Sequence, residues 1–287
     1  MTTLDHAIDP GPAADAVDPG PAARCRWLVS DSLVIAKRSI AHVRQIPEKL
    51  LDVTIQPLMF VLLFAFVFGG VIAVPGGDYR EYLIGGILVQ TIAFGMMSPA
   101  SSMATDMTEG IVDRFRALPM SRLSFLLGHL LAELAAATLA IAILSVSGLI
   151  VGWEIHADLA HAIAGYGLLL GFTFTMMWIG TLVGLIVRTP DAVMGLAFVI
   201  VFPLTFLAST FVPIAGLPDG LRQVAEWNPV SALAAATRTL FGNPTAIPEG
   251  AAWPLAHPVI ASLAWCAALL AVAVPLTLAR YRARTVD

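Results

Sequence analysis

Residues Leu123–Val151 read LSFLLGHLLAELAAATLAIAILSVSGLIV, and the only ionisable side chains in that run are His129 and Glu133. A helix needs about 20 mainly apolar residues to cross the hydrocarbon of a bilayer. This stretch exceeds that length, so it reads as a membrane-spanning helix with a single carboxylate inside it. Five further apolar stretches flank it, at Val53–Val74, Tyr82–Met103, Ala162–Val187, Ala192–Val212 and Val259–Leu278. The whole chain agrees with that reading. Of its 287 residues 58% are hydrophobic and only 13% charged, against about a quarter charged in soluble domains, and the mean hydropathy is +0.83.

The expected fold is therefore an all-α integral membrane protein with six transmembrane helices. Residues 1–25 form a tail rich in Asp, Pro, Ala and Gly, in which DPGPAA occurs at Asp9–Ala14 and again at Asp18–Ala23. Such a composition cannot bury a core, so the tail is expected to be disordered. Residues 26–50 turn amphipathic, with Leu28, Ile35, Ile40 and Val43 on one face and Lys37, Arg38 and Arg44 on the other. That pattern suits an interfacial helix on an anionic inner leaflet, with a helix packed on protein as the alternative. Residues 51–287 make the six-helix domain. The first apolar run starts too deep in the chain for a cleavable signal peptide and is expected to remain as an anchor.

Charge sets the orientation. With both termini in the cytoplasm, thirteen Lys and Arg residues, from Arg24 to Arg284, fall inside, and only Arg80, Arg222 and Arg238 fall outside. The positive-inside rule supports this topology. A net charge of −4 provides no basic footprint for nucleic acid. Cys25 and Cys266 sit at different depths and are not expected to pair.

Between the fifth and sixth spans, Asn228 followed by Pro229 is an N-cap and first-turn pair opening a short helix, and Asp219–Glu226 looks like another. Their apolar content suggests a re-entrant hairpin dipping into the outer leaflet. Pro99, Pro203 and Pro275 fall within spans and are expected to bend them. Gly167 with Gly171, Gly180 with Gly184 and Gly148 with Gly152 recur at four-residue spacing, which permits close helix contact within the chain or across a dimer seam.

Chemistry is sparse. The two lysines, Lys37 and Lys49, follow Ala36 and Glu48, so neither belongs to a phosphate-binding P-loop. There is no HExxH, GxSxG or CxxC, so no catalytic or metal site is expected. His156, Asp158 and His161 are the nearest approach to a ligand cluster, and a plain polar loop that keeps the spans apart is the reading preferred over a metal site. His129 and Glu133 lie one helical turn apart and can hydrogen-bond to each other. An intramembrane carboxylate either contacts a substrate or holds the bundle together. Met96, Met97, Met176 and Met177 either pack the core or line an adaptable surface.

The inner loop is the most informative stretch. From Glu109 it runs EGIVDRFRALPMSR, with Ile111, Phe115 and Leu118 on one helical face and Asp113 and Arg116 elsewhere. A short amphipathic helix with an exposed Phe can enter a groove on a cytoplasmic partner, or simply anchor in the headgroups.

This loop resembles the inner-loop signature of type-2 ABC exporter permeases, in their daunorubicin-resistance branch. The runs RQIPEKLLDVTIQPLMFVLLFAFVFGG (Arg44–Gly70), FLASTFVPIAGLP (Phe206–Pro218) and WNPVSALAAATR (Trp227–Arg238) agree with it. The resemblance implies a homodimer of permeases in the cell membrane with two copies of a separate ATP-binding subunit, which would hold the ATP and Mg. This chain would bind no cofactor of its own. Glu109, Gly110, Ile111, Asp113, Arg114, Phe115, Arg116 and Pro119 would form the ATPase-coupling loop. The outer gate would include Pro213, Trp227, Asn228 and Pro229; the residues themselves, apart from the resemblance, make His129 with Glu133 a candidate substrate or gating pair. His129 stands where related permeases commonly carry arginine, so the family's ion pair does not carry over. The expected cargo is an amphipathic drug or lipid. A glycolipid or polysaccharide precursor is the alternative within the family, and an ion-coupled secondary carrier is the alternative outside it.

Overall fold

The computed structural model describes residues 72–110, 122–187 and 189–283, with 55, 58, 59, 61–67 and 69 ahead of them. The expected tail, the interfacial helix with Lys37, Arg38 and Arg44, most of the first span, and the loop residues Ile111, Asp113, Arg114, Phe115, Arg116 and Pro119 lie outside the described residues. Within them every regular element is helical: α1 (Tyr79–Phe94), α2 (Met97–Thr108), α3 (Arg122–Val151), α4 (Leu159–Ile186), α5 (Pro190–Phe206), α6 (Asp219–Glu226), α7 (Pro229–Phe241), α8 (Trp253–Ala256) and α9 (Pro258–Ala283). A 3-10 turn at Ile214–Gly216 precedes α6.

Four segments are long and apolar enough to cross a bilayer: Tyr79–Thr108, Leu126–Val151, Leu159–Ile186 and Pro258–Tyr281. The helix Pro190–Phe206 is apolar but shorter. Local chemistry marks where helices start. Asp78 accepts from the Arg80 N–H, Asp158 from His161 and Thr189 from Ala192, and Pro190 and Pro229 sit at first-turn positions where a missing N–H costs nothing.

Two expected spans change shape. Tyr82–Met103 is not one continuous helix, because α1 stops at Phe94 and α2 starts at Met97. Pro99 is the cause: it cannot bond to the carbonyl four residues earlier and clashes with it, and that carbonyl belongs to Gly95. The fifth span was expected to reach Val212 but ends at Phe206, with Pro203 in its last turn and the chain turning at residues 207–212.

The helix α4 is the hub, in contact with α1, α2, α3, α5, α7 and α9. Its spanning window is 67% buried, against 17% for α9 and 28% for α3, which present most of their apolar surface outward. In water those faces would be unstable; in lipid they need no cover. The glycine pairs sort by neighbour. Gly180 lies against the Met96 carbonyl and Gly184 against the Ala100 carbonyl of α2, whereas Gly167 and Gly171 have nothing within 4 Å of an added Cβ. Gly152 has φ +99°, a conformation open to glycine, and it ends α3.

Buried hydroxyls are satisfied locally. Ser145, Thr173, Thr181, Thr205 and Thr277 each donate to the carbonyl four residues earlier on their own helix. Met96, Met176 and Met177 are buried in the core, which selects packing over an adaptable surface for these three.

Candidate functional site

Two polar clusters stand out in this apolar bundle. The first joins α2 and α3. Ser102 Oγ lies 3.0 Å from the Ser98 carbonyl, 3.3 Å from His129 Nε2 and 3.4 Å from Glu133 Oε1. A hydroxyl has one hydrogen to donate. Given to Ser98, it leaves Oγ as an acceptor for His129; given to Glu133, it helps to solvate the carboxylate. His129 and Glu133 therefore meet through Ser102 instead of bonding directly, although their spacing puts them on one face. His129 is buried and Glu133 half-buried. Glu133 stands about 16 Å along the helix axis from Arg122.

The second cluster lies at the opposite end of the bundle, around α7. This 13-residue helix is too short to cross a bilayer, yet almost every residue from Val230 to Phe241 is buried against α1, α4 and α9. Asn228 caps it by accepting from the Val230 N–H at 2.9 Å and donates to the Leu204 carbonyl at 2.7 Å. One residue thus opens α7 and ties it to the end of α5. Ser231 Oγ accepts the Ser209 N–H.

At its other end, Gly242 caps α7 with φ +73°, and the His156 and Ala157 amides donate to the Phe241 carbonyl. Asn243 accepts from Trp153 Nε1 and donates to the Glu154 carbonyl, both at 2.8 Å. Trp227 and Trp253 remain about half exposed beside these short helices, as amphipathic rings do at a membrane interface.

Arg238, counted by charge among the outer cations, is fully buried. Its Nε donates to the Tyr82 carbonyl at 2.8 Å, its Nη2 to the Thr210 carbonyl at 3.0 Å, and its guanidinium lies 3.5 Å from the centroid of the Tyr82 ring. Tyr82 Oη donates to the Ser209 carbonyl at 2.9 Å. Among the described residues no carboxylate pairs with Arg238, and Nη1 has no partner. The charge is held instead by carbonyl dipoles, by the ring face and by the C-terminal end of the α7 dipole, in whose last turn it sits.

The remaining expected site residues are dispersed. Glu109 is exposed and caps α2, and Gly110 follows with φ +66°. Pro213 is partly buried ahead of the 3-10 turn. His156, Asp158 and His161 do not converge. His156 Nε2 lies 2.7 Å from Glu81 Oε1, while Asp158 pairs with His161 at the start of α4. Hydrogen bonding to Glu81 and its negative charge push the His156 imidazole above its usual range, and the His161 contact holds Asp158 below its own. Among the described residues no three such groups could hold a metal.

Sequence reasoning missed Ser102 and Arg238. A serine inside an apolar helix ordinarily turns back on its own backbone, and an arginine in a last turn ordinarily faces water. The adjacent Gly85 and Gly86 were the one available sign that something large approaches α1.

Residues 31–241 match the family described as ABC-2 type transporter. The chain is 28% identical over 254 residues to the daunorubicin resistance ABC transporter permease protein of Streptomyces coeruleorubidus, covering 88% of this chain and 87% of that protein. It is 23% identical over 232 residues to the doxorubicin resistance ABC transporter permease protein of Mycobacterium tuberculosis, covering 78% and 80%.

Proposed function

Because the chain belongs to the ABC-2 type transporter family, we propose that it is the permease subunit of an ATP-driven exporter moving amphipathic drugs or lipids out of the cytoplasm or inner leaflet. The observation that carries this reading is similarity across 88% of the chain to a permease named for daunorubicin resistance. In this reading two copies of the chain assemble in the plasma membrane with two copies of a separate ATP-binding subunit. ATP and Mg reside on that subunit, and hydrolysis happens there. The first apolar run and α5 join the four long spans to make six, with both termini cytoplasmic.

The loop from Glu109 to Pro119 couples the two subunits, with Phe115 entering a groove on the ATPase. Its attachment point favours this role: Glu109 ends α2, and α2 is packed on α4, the hub of the bundle. Movement delivered there reaches α1, α3, α5, α7 and α9 through α4. Binding of ATP closes the ATPases and opens the permease pair outward; hydrolysis resets it.

Glu133, with His129 and Ser102, supplies a polar point in an otherwise apolar interior, suited to a cationic group on an amphipathic cargo. The segment containing Pro213, Trp227, Asn228 and Pro229 dips into the outer leaflet and closes the exit between the two copies. The shortness and burial of α7 support this placement.

The test is to purify the tagged chain from its own membrane and to measure dye uptake into inverted vesicles. An ATP-binding subunit that copurifies, with uptake that requires ATP, is the expected result. A chain that arrives alone and moves dye only under an ion gradient would replace this reading with a secondary carrier.

A further inference from the structure

The contacts of Arg238 come from three separate parts of the chain. Its own helix is α7, Tyr82 is in α1, and Thr210 is in the turn after α5. A cation with no carboxylate partner is expensive to bury, and fewer than half of its donors are used. It is therefore a poor choice for stability alone. Its value lies in the planar fork, which can hold several acceptors in fixed relative positions.

The sequence of α1 makes room for that fork. A Cβ on Gly85 would lie 2.9 Å from Arg238 Cγ, and one on Gly86 would lie 2.9 Å from Arg238 Nη2 and overlap the Thr210 carbonyl. Around the fork the same elements are bonded again, Tyr82 to Ser209 and Ser209 to Ser231, and the two ends of α7 are tied further out, Asn228 to Leu204 of α5 and Asn243 to the loop after α3.

We propose that Arg238 is a positioning residue, a pin that makes α7, the turn at 207–210 and the α7-facing end of α1 one rigid cap. The inference rests on the exporter reading for its role in transport. The outer mouth then opens by movement of the whole cap, and α7 does not hinge away from α1.

A disulfide can test rigidity directly. An added Cβ at Gly77, just before α1, would lie 3.3 Å from Pro244 Cβ, just after α7, close to the separation that a disulfide requires. The pair Gly77→Cys and Pro244→Cys is introduced with Cys25→Ser and Cys266→Ser, together with the partner ATPase. ATP-driven dye uptake is then measured in inverted vesicles before and after a membrane-permeant reductant.

With Arg238 intact, oxidised and reduced uptake should agree within about twofold. A drop of about tenfold on oxidation, reversed by reduction, would show that the cap must flex and would overturn the proposal. In the Arg238→Gln background, reduced uptake should fall about tenfold and the disulfide should restore it to within about threefold. If a crosslinked, inserted Arg238→Gln protein stays inactive, the cation does something other than pin.

If the parent protein moves no dye with ATP, the exporter reading fails, and amide exchange in detergent decides the pin separately. Arg238→Gln should speed exchange in residues 79–86 and 229–241 together, by about tenfold. Unchanged exchange in 79–86 would overturn the role of Arg238. Should Arg238→Gln fail to fold, the disulfide on intact Arg238 still decides rigidity.

Discussion

Gly184→Ala and Gly171→Ala make the same chemical change on the same helix and should behave differently. At Gly184 the new methyl would lie 3.0 Å from Met103 Cβ and 3.1 Å from the Ala100 carbonyl carbon, and would overlap the carbonyl oxygen. All three atoms belong to α2, two of them to its backbone, so relief requires moving the helix by roughly 1 Å; overpacking of this kind costs about 1–3 kcal/mol. Gly180→Ala meets the carbonyl carbon of Met96, the residue that caps α2, at 3.1 Å and Pro99 Cγ of α2 at 3.2 Å. At Gly171 and Gly167 the methyl meets nothing within 4 Å, so the change should be neutral or stabilise by up to about 1 kcal/mol through helix propensity. Helix propensity does not blur the comparison, since all four positions lie inside α4. The assay is unfolding in mixed micelles followed by near-ultraviolet dichroism, with Trp178 on α4 as a probe. Gly184→Ala as stable as Gly171→Ala would refute the close α2–α4 packing and its place in coupling.

Asn228→Ala removes both the α7 cap and the bond to Leu204, and should cost about 2 kcal/mol in the same unfolding assay. The His156–Glu81 pair gives a pH signature. Because the folded His156 pKa is raised above 6.5, its stabilisation is fully present below about pH 6.5 and fades as pH rises through the folded value. The melting difference between wild type and Glu81→Gln should therefore be largest in mild acid and vanish in alkali. Glu133→Gln should shift the range of cationic dyes transported by several-fold, or lower stability by about 1 kcal/mol; a variant unchanged in both respects would remove Glu133 from the site. Phe115→Asp should uncouple ATPase from uptake while the purified protein melts normally, and normal uptake would remove the loop from coupling.

The sequence and the structure agree where one residue decides alone. Asn228 with Pro229 carries its own helix start, and a run such as Leu123–Val151 is long and apolar enough to span despite His129 and Glu133. They part where a neighbour decides. The spacing of Gly167 and Gly171 is identical to that of Gly180 and Gly184, and only the carbonyls of α2 distinguish the two pairs. Pro99 announced a bend, but the break appears at Gly95 because a proline acts on the carbonyl one turn back. His129 and Glu133 were legible as one face; the serine they share comes from another helix, beyond the reach of periodicity. The burial of Arg238 was not legible, because a terminal arginine looks the same in sequence whether it faces water or a tyrosine ring. The coupling loop lies largely outside the described residues and was read from resemblance.

The hydroxyls that bond back to their own helices bear on how the bundle moves. A side chain spent on its own backbone cannot grip a neighbour, so much of the helix contact away from α7 is greasy surface on greasy surface. Among the described residues, the side-chain bonds that do link long helices there include Ser102 with His129 and Glu133, Tyr166 with Ser145, and Cys266 with Thr175. Where helices meet only through apolar faces they can shear past one another with few hydrogen bonds to break, and dispersion contacts re-form as they slide. The α7 end is stitched more densely than the rest, a mechanical contrast that would bias sliding to one side of the bundle.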